Sequence, residues 1–159
     1  MVNHAAAQAA TIQNNPLIGL MNTSLADSIN LKLQVKQAHW NIKGPQFIAL
    51  HELFDKISGE LENYIDMIAE RVVQLGGIAQ GGLQDVVKHT QLKEQKATNH
   101  QGEQYVTLVG GALATYADST RRLIDKADEL DDQVTVDMFT EITRELDKLT
   151  WFVNAHHDH

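Results

Sequence analysis

The chain has only two prolines, Pro16 and Pro45, and both fall where a helix would begin rather than inside one. Proline fixes φ and lacks an N–H, so it suits the first turn of a helix and breaks the interior. A chain with so few breakers, rich in Leu, Ala, Gln, Glu and Asp, is free to form long helices, and its apolar residues carry the matching period. Asn15-Pro16 reads as an N-cap followed by proline at the first helical position. Leu17, Leu20, Met21, Leu25, Ile29 and Leu33 then recur at three- and four-residue steps, which predicts a helix to about Asn41. Gly44-Pro45 ends it. A second stripe, Phe47, Leu50, Phe54, Ile57, Leu61, Ile65, Ile68 and Val72, predicts a helix from near Gln46 to Gly76-Gly77.

Residues 78–102 form a long connection in which LQDVVKH can make a short helix. A third helix is expected from about Glu103 to Leu130, with Gly110-Gly111 permitting close packing or a kink. A fourth runs from about Val134 to Ala155, its stripe being Met138, Ile142, Leu146, Leu149 and Phe152 or Val153. The expected fold is all-α: a four-helix bundle whose long second connection is a crossover carrying a short helix. Residues 1–14 read as a flexible arm, 15–155 as the bundle, and 156–159, HHDH, as a His-rich tail.

Composition removes several chemistries. There is no cysteine, so disulfides, thiolate zinc sites, iron–sulfur clusters and cysteine nucleophiles are excluded, and a reducing, cytoplasmic setting is expected. No signal peptide or membrane span is expected from the apolar pattern. The net charge of −8 opposes binding to a phosphate backbone. The arm contains no lysine or arginine, and Lys88, Lys93 and Lys96 form only a thin cluster diluted by Glu94.

The chemistry concentrates between His39 and Glu70. At about 100° per residue, Asp55 lies about 40° from His51 around the second helix, Glu62 about 20°, Asp66 about 60° and Glu70 about 100°. All therefore share one face. His51 and Asp55 are one turn apart, and so are Asp66 and Glu70; either pair can grip one ion. The fifteen residues from His51 to Asp66 separate the pairs by ~22 Å at about 1.5 Å per residue, too far for a single site. Either these are two half-sites, or a second copy of the helix lies antiparallel, with a two-fold axis near Gly59-Glu60, and sets one chain's His51 and Asp55 against the other's Asp66 and Glu70. His39 at the end of the first helix can complete each site. Imidazole and carboxylate ligands suit Fe(II), with Zn(II) or Mn(II) as competitors. An ordinary solvated acidic face is the alternative. The run His51-Glu52-Leu53-Phe54-Asp55 is not a zinc-protease motif, because Asp55 stands in place of the second histidine. No Glu-x-x-His motif of the single-bundle di-iron kind occurs anywhere in the chain.

The runs KQAHWNIKGPQFIALHELFD, AERVVQLGG and LDKLTWFVNA resemble the Dps miniferritins, the DNA-protection-during-starvation family, over nearly the whole chain after the arm. The resemblance implies a ferritin-like bundle assembled as a hollow homododecamer of two-fold dimers. It also implies an inter-subunit ferroxidase site that oxidises Fe(II), preferably with hydrogen peroxide rather than dioxygen, and deposits ferric mineral in the cavity. Carried over by residue, His39, His51 and Asp55 match one half-site; Asp66 and Glu70 match the half from the two-fold partner. Trp40, next to a ligand, is either an electron donor that intercepts radicals or a core aromatic. Glu62 is either an iron-feeding group or an interface carboxylate. An acidic three-fold pore of the family kind makes Asp131, Asp132 and Asp137 candidates, against the plainer reading of a solvated turn. Lysine-poor termini predict weak or absent DNA binding. The competing readings are a DNA-binding nucleoid protein with a minor iron role, and a helical oligomerisation module without metal chemistry.

Overall fold

The structure is a computed structural model and describes residues 15–157. The expected arm, 1–14, and the last two residues of the tail lie outside the described residues. Five helices follow in order: α1 (Pro16–Asn41), α2 (Phe47–Gln74), α3 (Leu83–His89), α4 (Gly102–Glu129) and α5 (Gln133–Asn154). Among the described residues there are no strands beyond one isolated bridge between Lys43 and Gln101. The Asn15 side chain accepts from the Leu17 N–H at 3.0 Å, so the cap and the proline behind it start α1 as the sequence requires. Among the described residues, no helix is long and apolar enough to cross a membrane.

The long helices form two hairpins, α1 with α2 and α4 with α5, packed through α1–α4 and α2–α5. Their apolar faces make one core, with Met21, Leu25, Leu31, Leu50, Phe54, Leu61, Tyr116, Phe139 and Leu146 fully or almost fully buried. The expected stripe of α1 is corrected in detail. Leu20 and Leu33 are 42% and 54% exposed, whereas Leu31, Val35 and Ala38 are buried. Each four-residue step rotates a side chain about 40° too far, so the walk from Leu25 to Ile29 to Leu33 drifts off the core face. Phe47 is likewise exposed at the start of α2, and in α5 Phe139 is fully buried while Met138 packs partly buried against the core.

The long connection between α2 and α4 is not loose. It runs along α1 from one end to the other, held by a polar stripe on that helix. Asn22 donates to the Ile78 carbonyl at 3.1 Å and accepts from the Gln80 N–H at 2.9 Å. Asp27 Oδ1 accepts from the Thr90 hydroxyl and from the Gln91 and Leu92 N–H groups at 2.8, 2.6 and 3.2 Å. Asn30 donates to Thr90 and to the Leu92 carbonyl, and Gln34 to the Lys93 carbonyl. His100 then reaches the Asn41 carbonyl. The connection therefore carries the chain back along α1, and α4 starts at the end of the bundle where α2 starts. That is the crossover the sequence predicts. At its beginning, Gly76 adopts φ +85° and Gly77 packs so tightly that a Cβ would lie 2.7 Å from Ile18 Cγ2.

Candidate metal centre

The last turn of α1 presents His39, and the second turn of α2 presents His51. Between them the chain reverses through buried Ile42 and through Gly44 at φ +112°. The two imidazoles lie face to face, 3.7 Å between centroids and 18° between planes. Each binds the other's backbone: His39 Nδ1 to the His51 carbonyl at 2.7 Å, and His51 Nδ1 to the His39 carbonyl at 2.8 Å. A carbonyl oxygen only accepts, so both Nδ1 atoms carry hydrogen. In the neutral rings Nε2 then bears the lone pair. This is the outer-sphere arrangement that fixes tautomer and ring orientation for a metal-ligating histidine. Phe47 packs against His51 with 4.9 Å between ring centroids.

One turn further on, Asp55 is exposed and pairs with Lys36 of α1. The Lys36 hydrogen bond, then its charge, holds the Asp55 carboxyl below its ordinary range, with smaller help from His39 and His51. Glu62 pairs in the same way with Lys32. Lys36 and Lys32 precede His39 by three and seven residues, the spacing that puts them on the ligand's own helix face. That spacing is the signal by which sequence reasoning could have found them.

Asp66 and Glu70 are exposed on the later turns of α2, away from the histidines. The fold brings His39, His51 and Asp55 into one neighbourhood and leaves Asp66 and Glu70 apart. Among the described residues, no three His, Asp or Glu side chains of one chain group closely enough to hold a metal ion. Trp40 is 67% exposed, which overturns its reading as a core aromatic. Asp132 is the N-cap of α5, accepting from the Thr135 N–H and hydroxyl at 3.0 and 2.6 Å and from Arg71 Nη2 at 2.9 Å. Partial burial raises its pKa, but the Thr135 and Arg71 contacts outweigh that and leave the carboxyl below its ordinary range. Its carboxylate is thus committed within the fold, while Asp131, at φ +57°, and Asp137 are exposed.

Residues 18–159 match the model of the ferritin-like domain family. The chain is 47% identical over 140 residues to the DNA protection during starvation protein of Agrobacterium fabrum, covering 88% of this chain and 86% of that one. Its fold superposes on the crystal structure of Dps from Staphylococcus aureus with TM-score 0.86 and 25% identity, covering 92% and 97% of the two chains. It also superposes on Dps from Vibrio cholerae O1, described as a member of a broad superfamily of ferritin-like diiron-carboxylate proteins. There the TM-score is 0.82 and the identity 26%, over 94% of this chain and 90% of the other.

Proposed function

The chain belongs to the Dps family of ferritin-like proteins, and from that premise we propose that it is a ferroxidase and iron store whose oxidation site is completed by a second subunit. The observation that carries this reading is the reciprocal histidine pair. Two imidazoles locked with Nδ1–H on backbone carbonyls keep both Nε2 lone pairs for an ion, beside a carboxylate. A solvated helix face does not need that arrangement. His39, His51 and Asp55 supply one half of the site. Asp66 and Glu70 of a two-fold partner supply the other, across the ~22 Å that separates the pairs within one chain.

Fe(II) is the substrate. Each ion gives up one electron; one hydrogen peroxide accepts two electrons and two protons and leaves as two waters. The carboxylates favour the more highly charged ferric product, and the neutral imidazoles serve both oxidation states. Trp40 places an exposed indole next to His39, where it can donate an electron to a stray oxidant. Twelve copies around a cavity would hold the ferric mineral, and Asp131 and Asp137 are the remaining candidates for drawing in Fe(II) at three-fold axes. Zinc is a competitor for the same ligands. The family's DNA association is expected to be weak here: at −8 per chain, twelve chains form a strongly anionic particle. A cytoplasmic setting fits the absence of cysteine.

The test is the double variant His51→Ala, Asp55→Ala. Peroxide-driven Fe(II) oxidation, followed by ferric absorbance, is expected to fall to the protein-free rate while light scattering still reports a dodecamer. Oxidation at the parent rate would remove the site assignment, and a monomer or dimer in the parent protein would remove the cage. A low-salt gel shift separates the nucleoid reading, which requires strong retardation of DNA at neutral pH.

A further inference from the structure

We infer that the end of the long connection is a clamp that positions both histidine ligands, with His100 as its positioning residue. The inference rests on the metal reading above and deepens it. Asn41 is the last residue of α1, two beyond His39, and its carbonyl is one of the four at a helix C-terminus that have no partner within the helix. His100 Nδ1 donates to that carbonyl at 2.6 Å. Two residues later the Lys43 N–H donates to the His100 carbonyl at 2.8 Å, and Lys43 forms a parallel bridge with Gln101. One residue therefore grips the backbone on both sides of Ile42.

The following residue seals the other flank. A Cβ on Gly102 would lie 3.4 Å from Leu50 Cδ1 and 3.9 Å from Ile42 Cδ1, so the start of α4 rests on the residue before His51. The connection thus touches the chain two residues after one ligand and one residue before the other. The turn has little to hold it from within: its own backbone bond is Phe47 N–H to the Gly44 carbonyl.

This placement matters because the ligand pair is joined through main-chain carbonyls. A slide of the end of α1 against the start of α2 lengthens both Nδ1–H···O bonds together and unstacks the rings. Nothing in the pair itself resists that slide except those two bonds. The clamp resists it from outside. A carbonyl oxygen only accepts, so His100 Nδ1 carries the hydrogen of this bond. Asparagine places an amide nitrogen at the same reach from the backbone and is the conservative replacement.

The experiment compares the full-length parent, His100→Ala, His100→Asn and His51→Ala, each titrated with Co(II), whose visible absorption reports ligand geometry. Helical ellipticity and assembled mass are measured alongside. His51→Ala is expected to lose Co(II) binding. His100→Ala is expected to bind about three- to tenfold more weakly, toward the lower end of outer-sphere effects, with altered band intensity and unchanged helicity and mass. His100→Asn is expected to restore affinity to within about twofold of the parent. Parent-like Co(II) binding by His100→Ala, with His51→Ala impaired, overturns the clamp and leaves the metal reading standing. So does a weakening that tracks lost helicity or mass and that His100→Asn does not restore. Parent-like binding by His51→Ala overturns the metal reading and the clamp with it.

Discussion

Asp27 is 1% exposed and carries its three hydrogen bonds on one oxygen, while Oδ2 is buried without a partner. Burial raises the carboxyl's pKa, against the Thr90, Gln91 and Leu92 contacts that lower it. Two substitutions separate the oxygen that holds the connection from the charge that it carries. Asp27→Ala removes the acceptor. The Gln91 N–H and the Thr90 hydroxyl then lose it, whereas the Leu92 N–H keeps Thr90 Oγ1 at 3.2 Å. At about 1–3 kcal/mol for each of the two donors left unmet, the expected loss is about 2–6 kcal/mol. Asp27→Asn keeps the accepting oxygen and puts an equally unpartnered amide where Oδ2 stands, so it mimics the protonated acid. The sign follows from the raised pKa. The folded protein holds the proton more tightly than the unfolded chain, so this group's contribution is full below its unfolded value of about 3.9 and is lost as pH rises through the folded value. Asp27→Asn should therefore match the parent within about 1 kcal/mol at the acid end and gain on it as pH rises, until the difference levels off. The assay is urea unfolding by far-ultraviolet circular dichroism between about pH 4.5 and 8, at one protein concentration because assembly couples to stability. Other carboxylates cancel in the difference between variants. Asparagine losing ground to aspartate on raising the pH would refute the reasoning, since it would mean that the buried charge is favoured over the acid.

Lys36→Ala frees Asp55 from its competing cation, so Co(II) should bind more tightly, by less than about fivefold as befits an exposed pair; weaker binding in a titration would show that the lysine supports the site. Gly77→Ala drives a Cβ against Ile18 and Val72 and should cost about 1–3 kcal/mol in urea unfolding. Gly111→Ala, within α4 and with open space around its Cβ, should stabilise by about 0.5–1 kcal/mol in the same assay; a reversed order of these two variants would contradict the packing at the α2 terminus.

The helices were legible because each is long and its apolar period is sustained. LQDVVKH emerges as α3 at Leu83–His89, and the remaining boundaries fall within about two residues of expectation, the usual fraying margin. The inward face of α1 was less legible, for a physical reason. This helix is buried on two sides, by the apolar core and by the connection, so Asn22 and Asp27 are buried as well as Leu17, Leu25 and Leu31. A pattern rule that sends polar residues to solvent has no means of seeing a second chain segment lying on them. The same limit hid the role of His100, which depends on a partner far away in the sequence. The closeness of His39, His51 and Asp55 was legible because their spacing along two helices joined by a short turn already fixes their relation.

The distribution of charge along α2 bears on how two copies could meet. Facing helices that both present bare carboxylates would repel. On this face, Asp55 and Glu62 are each neutralised from within by a lysine of α1. Asp66 and Glu70 form no ion pair among the described residues, and Gly59, midway between the two groups, has nothing near its missing Cβ. One half of the face is thus already balanced and the other retains its negative charge, with room at the centre for close approach. In the proposed antiparallel pairing, the unbalanced half of each copy meets the histidine half of the other, and an incoming cation supplies the missing charge. Metal binding and dimer stability are then linked: Fe(II) or Co(II) should stabilise the interface, and removing Asp66 and Glu70 should make assembly less dependent on metal rather than abolish it.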